Sequence, residues 1–450
     1  MNMINMKNIF LLSIALLLVS CDKFLDIQPT GKVIAKTGEE YRALLTGVYN
    51  NFPDDRSLTT LRTDEMILDE ATITSEDYNT YFDMWTWNDI TPDEKSTSWS
   101  WRRFYHTIYI ASYVIDKQSE ITDASAADIN QIVGEAYMLR AYTYSILVNL
   151  FGKPYTKCDP STELAVPLMV SPDVESVIGR SSVEAVYQQI LSDINMAKQR
   201  LNVDKWEDAL KYRFNKISAD ALMARVCLYM GRWQEALDAA NAVVAAYPEL
   251  EDLTTTTYTM PDKYTSKEAI VSLEQVMKSA YKGIGYPDAK FITSITTGDL
   301  RKNRYFKAKT SQVYDLLKGG ANECRSTFRS AEFYLTAAEA AARLGKLEEA
   351  IDLMSTMVKN RYLAARQTTT INSMKSMTQN QLIDFILEDR RAELCFEGHR
   401  WFDLRRTTQP KIERKYGDVT YTLEEGDSRY TIVIPREAIS ANPLLSQENK

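Results

Sequence analysis

Three sets of residues in this 450-residue chain carry recognisable chemistry. Cys21 follows Leu18-Val19-Ser20 at the end of the apolar stretch Ile9–Val19, with Lys7 ahead of it. That arrangement suits a bacterial lipoprotein signal, cleaved so that the Cys21 thiol carries a thioether-linked diacylglycerol. The apolar stretch is too short to span a bilayer, which takes about 20 residues. Residues 1–20 are therefore expected to be a lipoprotein signal peptide, with Cys21 as the lipid attachment site.

The second set is aromatic. Tyr78, Tyr81, Trp85, Trp87 and Asn88 lie close together among Asp, Asn and Thr, and Tyr264, Tyr281 and Tyr286 lie in a second polar stretch. Flat aromatic faces beside amide and carboxylate groups suit stacking on sugar C–H surfaces with hydrogen bonds to vicinal hydroxyls. Trp85 and Trp87 also fit the plainer role of core residues, their spacing placing both on one face of a strand.

The third set is acidic. Asp64-Glu65 and Asp69-Glu70 are carboxylate pairs, but glycoside hydrolysis needs two carboxyls held across a cleft, which adjacency does not provide. The two histidines, His106 and His399, have no evident catalytic partner and are read as structural. No catalytic residue is assigned, and no enzyme activity is expected. Cys158, Cys227, Cys324 and Cys395 lack metal-ligand spacing, so no metal or other cofactor is expected. Export permits a Cys158–Cys324 bridge, but free thiols are the favoured state.

Composition narrows the class further. A net charge of −8 argues against a nucleic-acid partner and against a cationic grip on lipid, leaving the anchor as the sole membrane attachment. With 26 tyrosines and 7 tryptophans against 16 glycines, the balance fits a helical protein better than a nucleotide-binding enzyme.

Apolar periodicity predicts helices over 39–51, 99–119, 128–151, 182–201, 218–247, 331–361 and 379–396, with Ser182 and Ser218 as N-caps. One unit repeats: aligning Gly231 with Gly345 superposes Ala224 on Ala338, Trp233 on Leu347, Glu235 on Glu349 and Ala236 on Ala350. Small residues around a glycine turn describe the helical hairpin of a tetratricopeptide-type repeat. The copies are too far apart to be tandem. Stretches 62–98 and 250–329 break the helical rhythm and are expected to be long loop insertions that carry function.

Motifs along the chain identify a family. Glu388-Asp-Arg-Arg-Ala-Glu393-Leu-Cys-Phe-Glu397-Gly-His-Arg400-Trp-Phe-Asp403-Leu-Arg-Arg406 closely resembles the ER-x-x-EL-x-x-EG-x-RWFDLRR signature of the SusD/RagB family. Arg329-Ser-Ala-Glu332-Phe-Tyr-Leu335 with Ala338-Glu339-Ala340, and Ile434-Pro435-Arg-Glu437 with Asn442-Pro443 and Gln447, resemble two further family motifs. So do Gly134-Glu135 through Ala141, the Phe151-Gly152-Lys-Pro154 turn, Arg180 through Ala197, and the Cys21-Asp-Lys-Phe-Leu-Asp start. Read by chemistry alone, the 391–406 segment is a helix-cap and packing network of paired charges. The chain departs from the family where Ala111-Ser112 replaces a common Ala-Asn pair, and its central insertion is short.

The resemblance implies a mainly α SusD-like fold, with tetratricopeptide-type hairpins forming a right-handed superhelical scaffold. It implies an N-terminal part over about 21–230 and a C-terminal part over about 260–450, intimately packed into one SusD-like domain. It also implies a surface-exposed, lipid-anchored outer-membrane protein that binds glycan and delivers it to a SusC-like TonB-dependent transporter. Two alternatives remain open: a peptide-binding RagB-like lid of the same transporter type, and a repeat scaffold without a small ligand.

Overall fold

A computed structural model of the chain describes residues 35–173 and 176–446; Cys21, the signal segment and Gln447 lie outside the described residues. The protein is mainly α-helical with short two-stranded sheets. At its centre is α4 (Ala126–Phe151), with α1 (Gly38–Asn50), α2 (Ser75–Trp85) and α3 (Trp101–Asp116) preceding it and α5 (Val183–Arg200) following. Every α4 residue from Gln131 to Phe151 is buried, so the helix is surrounded by protein on all sides. Its buried charges are matched: Arg140 makes a bidentate pair with Asp193 at 2.7 and 2.8 Å, and Glu135 accepts from Arg42 at 2.8 Å and from Tyr49 at 2.9 Å.

The repeat is present as two hairpins, α6–α7 (Ser218–Met230 and Trp233–Ala246) and α8–α9 (Ser330–Arg343 and Leu347–Arg361). Gly231 and Gly345 sit at their turns with φ of 73° and 78°, left-handed values that disfavour a side chain. Helix α7 packs against α8, so the hairpins stack although long insertions separate them in sequence. Helices α10 (Ala364–Lys375), α11 (Gln379–Leu394) and α12 (Arg400–Arg406) complete the C-terminal part.

Side-chain caps mark five of these twelve helix starts. Ser125, Ser182 and Thr74 accept from the amides of Asp128, Ala185 and Asp77, and Thr37 and Thr378 form capping boxes with Glu40 and Gln381. Ser218 is not a cap as expected. Its hydroxyl and amide are engaged with Asn215, and the helix begins on Ser218 itself.

The stretch 62–98 is also not the loop expected, because it contains α2. Tyr78, Phe82 and Trp85 recur at helical spacing behind the Thr74 cap, and their packing outweighs the polar composition around them. The 250–329 stretch supplies short strands together with the short helical segments Ser279–Lys282, Ala289–Ser294 and Arg301–Arg304. Strand β1 (Met66–Leu68) pairs antiparallel with β3 (Gly285–Pro287), β2 (Ala269–Val271) with β6 (Phe328–Arg329), and β4 (Phe306–Ala308) with β5 (Tyr314–Leu316). The final pair is β7 (Ile412–Tyr416) with β8 (Val419–Leu423). Cys158, Cys227, Cys324 and Cys395 are free thiols, and the Cys158–Cys324 bridge is not formed.

The signature segment knots the C-terminal part together. Glu393 accepts from Arg301, Arg329 and Arg361 at 3.1, 2.8 and 2.8 Å, while Glu397 is bound by Arg329 at 2.8 Å and by Lys318. Glu268 closes the lattice through Arg329 at 2.8 Å and Arg361 at 2.7 Å. All seven side chains are at most 1% exposed. The surrounding cations hold Glu393 well below the usual carboxylate range and take Glu397 down to about 2, against the opposing effect of burial.

Candidate functional site

The pairing of β1 with β3 places Ile67 opposite Tyr286, and β5 lies alongside β3. Between these strands, the helical turn Ser279–Lys282 and the loop Gly319–Ala321 opens a cleft of about 820 Å³. Tyr286 and Tyr314 are its aromatic residues, both half-buried. Asp69 and Thr72 also line it, with Lys282 at the glycine loop and Lys309 and Asp315 on the β4–β5 hairpin.

The polar groups are held in place by short-range contacts. Asp69 Oδ1 accepts from the Ala71 amide at 3.1 Å, Lys309 pairs with Asp315 at 2.7 Å, and the Ser279 hydroxyl donates to the Gly320 carbonyl at 2.7 Å. Beneath the floor Tyr281 is buried, its hydroxyl 2.5 Å from Ser57 Oγ and its ring edge-on to Tyr81 at 6.1 Å. Burial pushes the Tyr281 and Tyr286 hydroxyls upward in pKa, with Asp69, Glu70 and Asp288 adding to the rise at Tyr286. Both phenols stay protonated and able to donate. The lining contains no histidine.

Of the aromatic and amide residues picked from sequence, Tyr286 lines this cleft, Tyr281 lies under it and Tyr81 borders Tyr281. Trp85 and Trp87 do not supply open stacking faces, a correction to the expectation drawn from sequence. They are 0% and 1% exposed, their indole N–H groups donate to the Met66 and Arg62 carbonyls at 3.1 and 2.9 Å, and the Arg414 guanidinium lies over both rings at 4.8 and 4.3 Å. Among the described residues Arg414 forms no ion pair; burial lowers it to about 9, and main-chain carbonyls of Leu61, Thr63 and Trp85 receive its N–H groups.

The other picks fall elsewhere. Tyr78 stacks on Phe82 at 4.2 Å and meets Tyr416 of the β7–β8 hairpin at 5.4 Å. Asn88 spends its amide on Asp83 at 2.8 Å and on Thr91, closing a turn beside a separate recess of about 290 Å³. Tyr264 lies at the 263–324 bridge, its carbonyl accepting from Lys211 at 2.9 Å.

Sequence reading missed Tyr314 and Lys282, and placed Asp69 only in a carboxylate pair. Tyr314 and Lys282 do fall inside the 250–329 stretch marked as functional. The Asp64-Glu65 pair is structural: Asp64 is gripped by Arg391 and Arg400 at 2.9 and 2.8 Å, which hold it well below its ordinary value, while burial raises Glu65 to about 7. His106 is exposed on α3, and His399 is buried 3.2 Å from the Arg56 guanidinium, which with burial keeps its ring neutral.

Comparison with known proteins gives a consistent answer. A family model described as starch-binding and associating with the outer membrane matches residues 23–228, and the SusD family model matches residues 255–450. SusD-like protein P38 of Formosa agariphila is 26% identical, covering 90% of this chain and 92% of that protein. A SusD superfamily structure from Bacteroides thetaiotaomicron shares the fold with a TM-score of 0.76 at 22% identity, covering 92% of this chain and 100% of the other. A laminarin-binding SusD-like protein shares it with a TM-score of 0.60 at 20% identity, over 83% and 92% of the two chains. Among the described residues no helix is long and apolar enough to cross a membrane. The two family models between them account for most of the sequence, and the chain belongs to the SusD/RagB family.

Proposed function

We propose that this protein captures glycan in the Tyr286–Tyr314 cleft at the cell surface and passes it to a SusC-like TonB-dependent transporter. The observation that carries the reading is the cleft itself, where two half-buried tyrosines stand beside carboxylate, hydroxyl and ammonium groups already fixed by their neighbours. Aromatic rings cover the apolar face of a sugar while the fixed polar groups select its hydroxyls. In this reading the cleft binds its ligand without turning it over.

The family and the laminarin-binding fold relative support glycan as the ligand class. In this reading the protein loses residues 1–20, is held by lipid on Cys21, and its N- and C-terminal parts act as one body. Affinity electrophoresis of the purified protein through gels containing polysaccharides, beside an oligopeptide panel in calorimetry, tests the ligand. Glycan retardation abolished by Tyr286→Ala with Tyr314→Ala is expected. Binding to peptides alone contradicts the glycan reading. Co-purification with a TonB-dependent transporter from intact outer membranes tests delivery, and Cys21→Ala is expected to release the protein from them.

A further inference from the structure

Lys282 is the cleft cation whose charge is not matched. It ends the helical turn Ser279–Lys282, and its Nζ donates to the carbonyls of Lys318 at 2.7 Å and Gly319 at 3.0 Å. Among the described residues it forms no ion pair, whereas Lys309 on the neighbouring hairpin is neutralised by Asp315 at 2.7 Å. An ammonium has three donors, so two carbonyls leave one N–H and most of the positive charge unspent. Burial of the stem pushes the Lys282 pKa down, and Asp262 and Asp315 act on it only from beyond contact range.

The loop above the ammonium is built to leave it open. Gly320 has φ of +89°, and a Cβ there would stand 3.0 Å from Lys282 Cδ and 3.4 Å from Nζ. The loop is pinned from several directions: Ser279 Oγ donates to the Gly320 carbonyl at 2.7 Å, and Asp262 accepts from the Gly319 amide at 2.7 Å. Asp69 and Thr72 also line the cleft and offer acceptors to hydroxyls.

We propose that the cleft takes an acidic sugar, its carboxylate or sulfate seated on the Lys282 ammonium over the Gly319–Gly320 loop, with the sugar rings against Tyr286 and Tyr314. This rests on the glycan-capture reading and names the substrate class. Calorimetry of the purified protein separates the cases, using tetragalacturonic acid for the carboxylate, a sulfated carrageenan tetrasaccharide for the sulfate, and maltotetraose as a neutral probe. An anionic probe is expected to bind about tenfold or more tightly than the neutral one, because hydrogen bonds to charged groups outweigh neutral ones. That advantage shrinks as ionic strength rises and is lost in Lys282→Gln.

Gly320→Ala, which presses on the ammonium, is expected to weaken anionic binding as well. It gives a second variant should Lys282→Gln fail to fold, and the anionic-to-neutral ratio of the unmodified protein needs no variant at all. Preference for the carboxylate or for the sulfate probe identifies which acid the site takes. Neutral binding equal to or tighter than anionic binding overturns this inference and leaves glycan capture standing. Silence to all three probes and to the polysaccharide gels overturns both.

Discussion

The charged lattice around Glu393 and the cleft around Tyr286 are built from the same residue types and do opposite work. In the lattice, Arg301, Arg329 and Arg361 meet Glu268, Glu393 and Glu397 with exposures of at most 1%, so each charge is consumed by another. In the cleft, Lys282 and Asp69 are held by backbone groups and, with two tyrosines, remain partly open. Charge density alone therefore says little about function. What distinguishes a site is charge or aromatic surface that the protein leaves unmatched.

The aromatic residues repeat the contrast. Trp85 and Trp87 are sealed under Arg414, whereas Tyr286 and Tyr314 face a cleft of about 820 Å³. If that division is right, variants should separate into those that unfold the protein and those that only blind it.

The largest effect is expected in the lattice. Glu393→Gln strips the shared partner from three buried guanidinium groups, and a loss of about 3–5 kcal/mol or more in unfolding free energy follows, measured by chemical denaturation. A loss below about 1 kcal/mol, the scale of exposed pairs, would break the comparison. Next in size, Trp87→Ala should cost about 3–5 kcal/mol through the cavity it leaves. Glycan affinity per folded molecule should stay unchanged, because the ring does not reach the cleft.

Acid sensitivity sharpens the same contrast. Glu397 has its folded pKa lowered to about 2 from an ordinary 4.5, so its contribution to stability is full above about pH 4.5 and is lost as pH falls toward 2. Glu397→Gln should be less stable than the parent at neutral pH and show a shallower decline over that acid window. Equal slopes in urea titrations across pH 2–5 would remove Glu397 from the lattice's acid response. The smallest stability change, within about 0.5 kcal/mol, is expected for Tyr314→Ala on its half-open strand.

Much of the scaffold is legible in the sequence because it rests on local, periodic signals. The Gly231 and Gly345 turns, the Ser182 site ahead of its helix, and the long apolar run of α4 each specify their structure within a few residues. The paired character of the 391–406 segment follows from its alternating charges. The cleft is not legible in that way. Asp69, Lys282, Tyr286, Tyr314 and Gly320 come from separate turns and three-residue strands, brought together by the β1–β3 pairing, the β3–β5 contact and the bonds of Ser279 and Lys282 to the 318–320 loop.

The tryptophans were attractive from sequence because indole is a good stacking surface. Burial reverses that inference: in α2 and the turn after it, each indole N–H finds a main-chain carbonyl and each ring a guanidinium. Helical spacing of Tyr78, Phe82 and Trp85 was the available signal that this stretch packs inward. Nothing of comparable regularity marks Tyr314.

The most direct measurement pairs affinity electrophoresis with thermal unfolding for the Tyr286→Ala, Tyr314→Ala double variant. Loss of polysaccharide retardation, with affinity down about tenfold or more and the melting temperature held close to the parent's, is the expected result. Full retardation by the folded double variant would contradict the cleft as the glycan site.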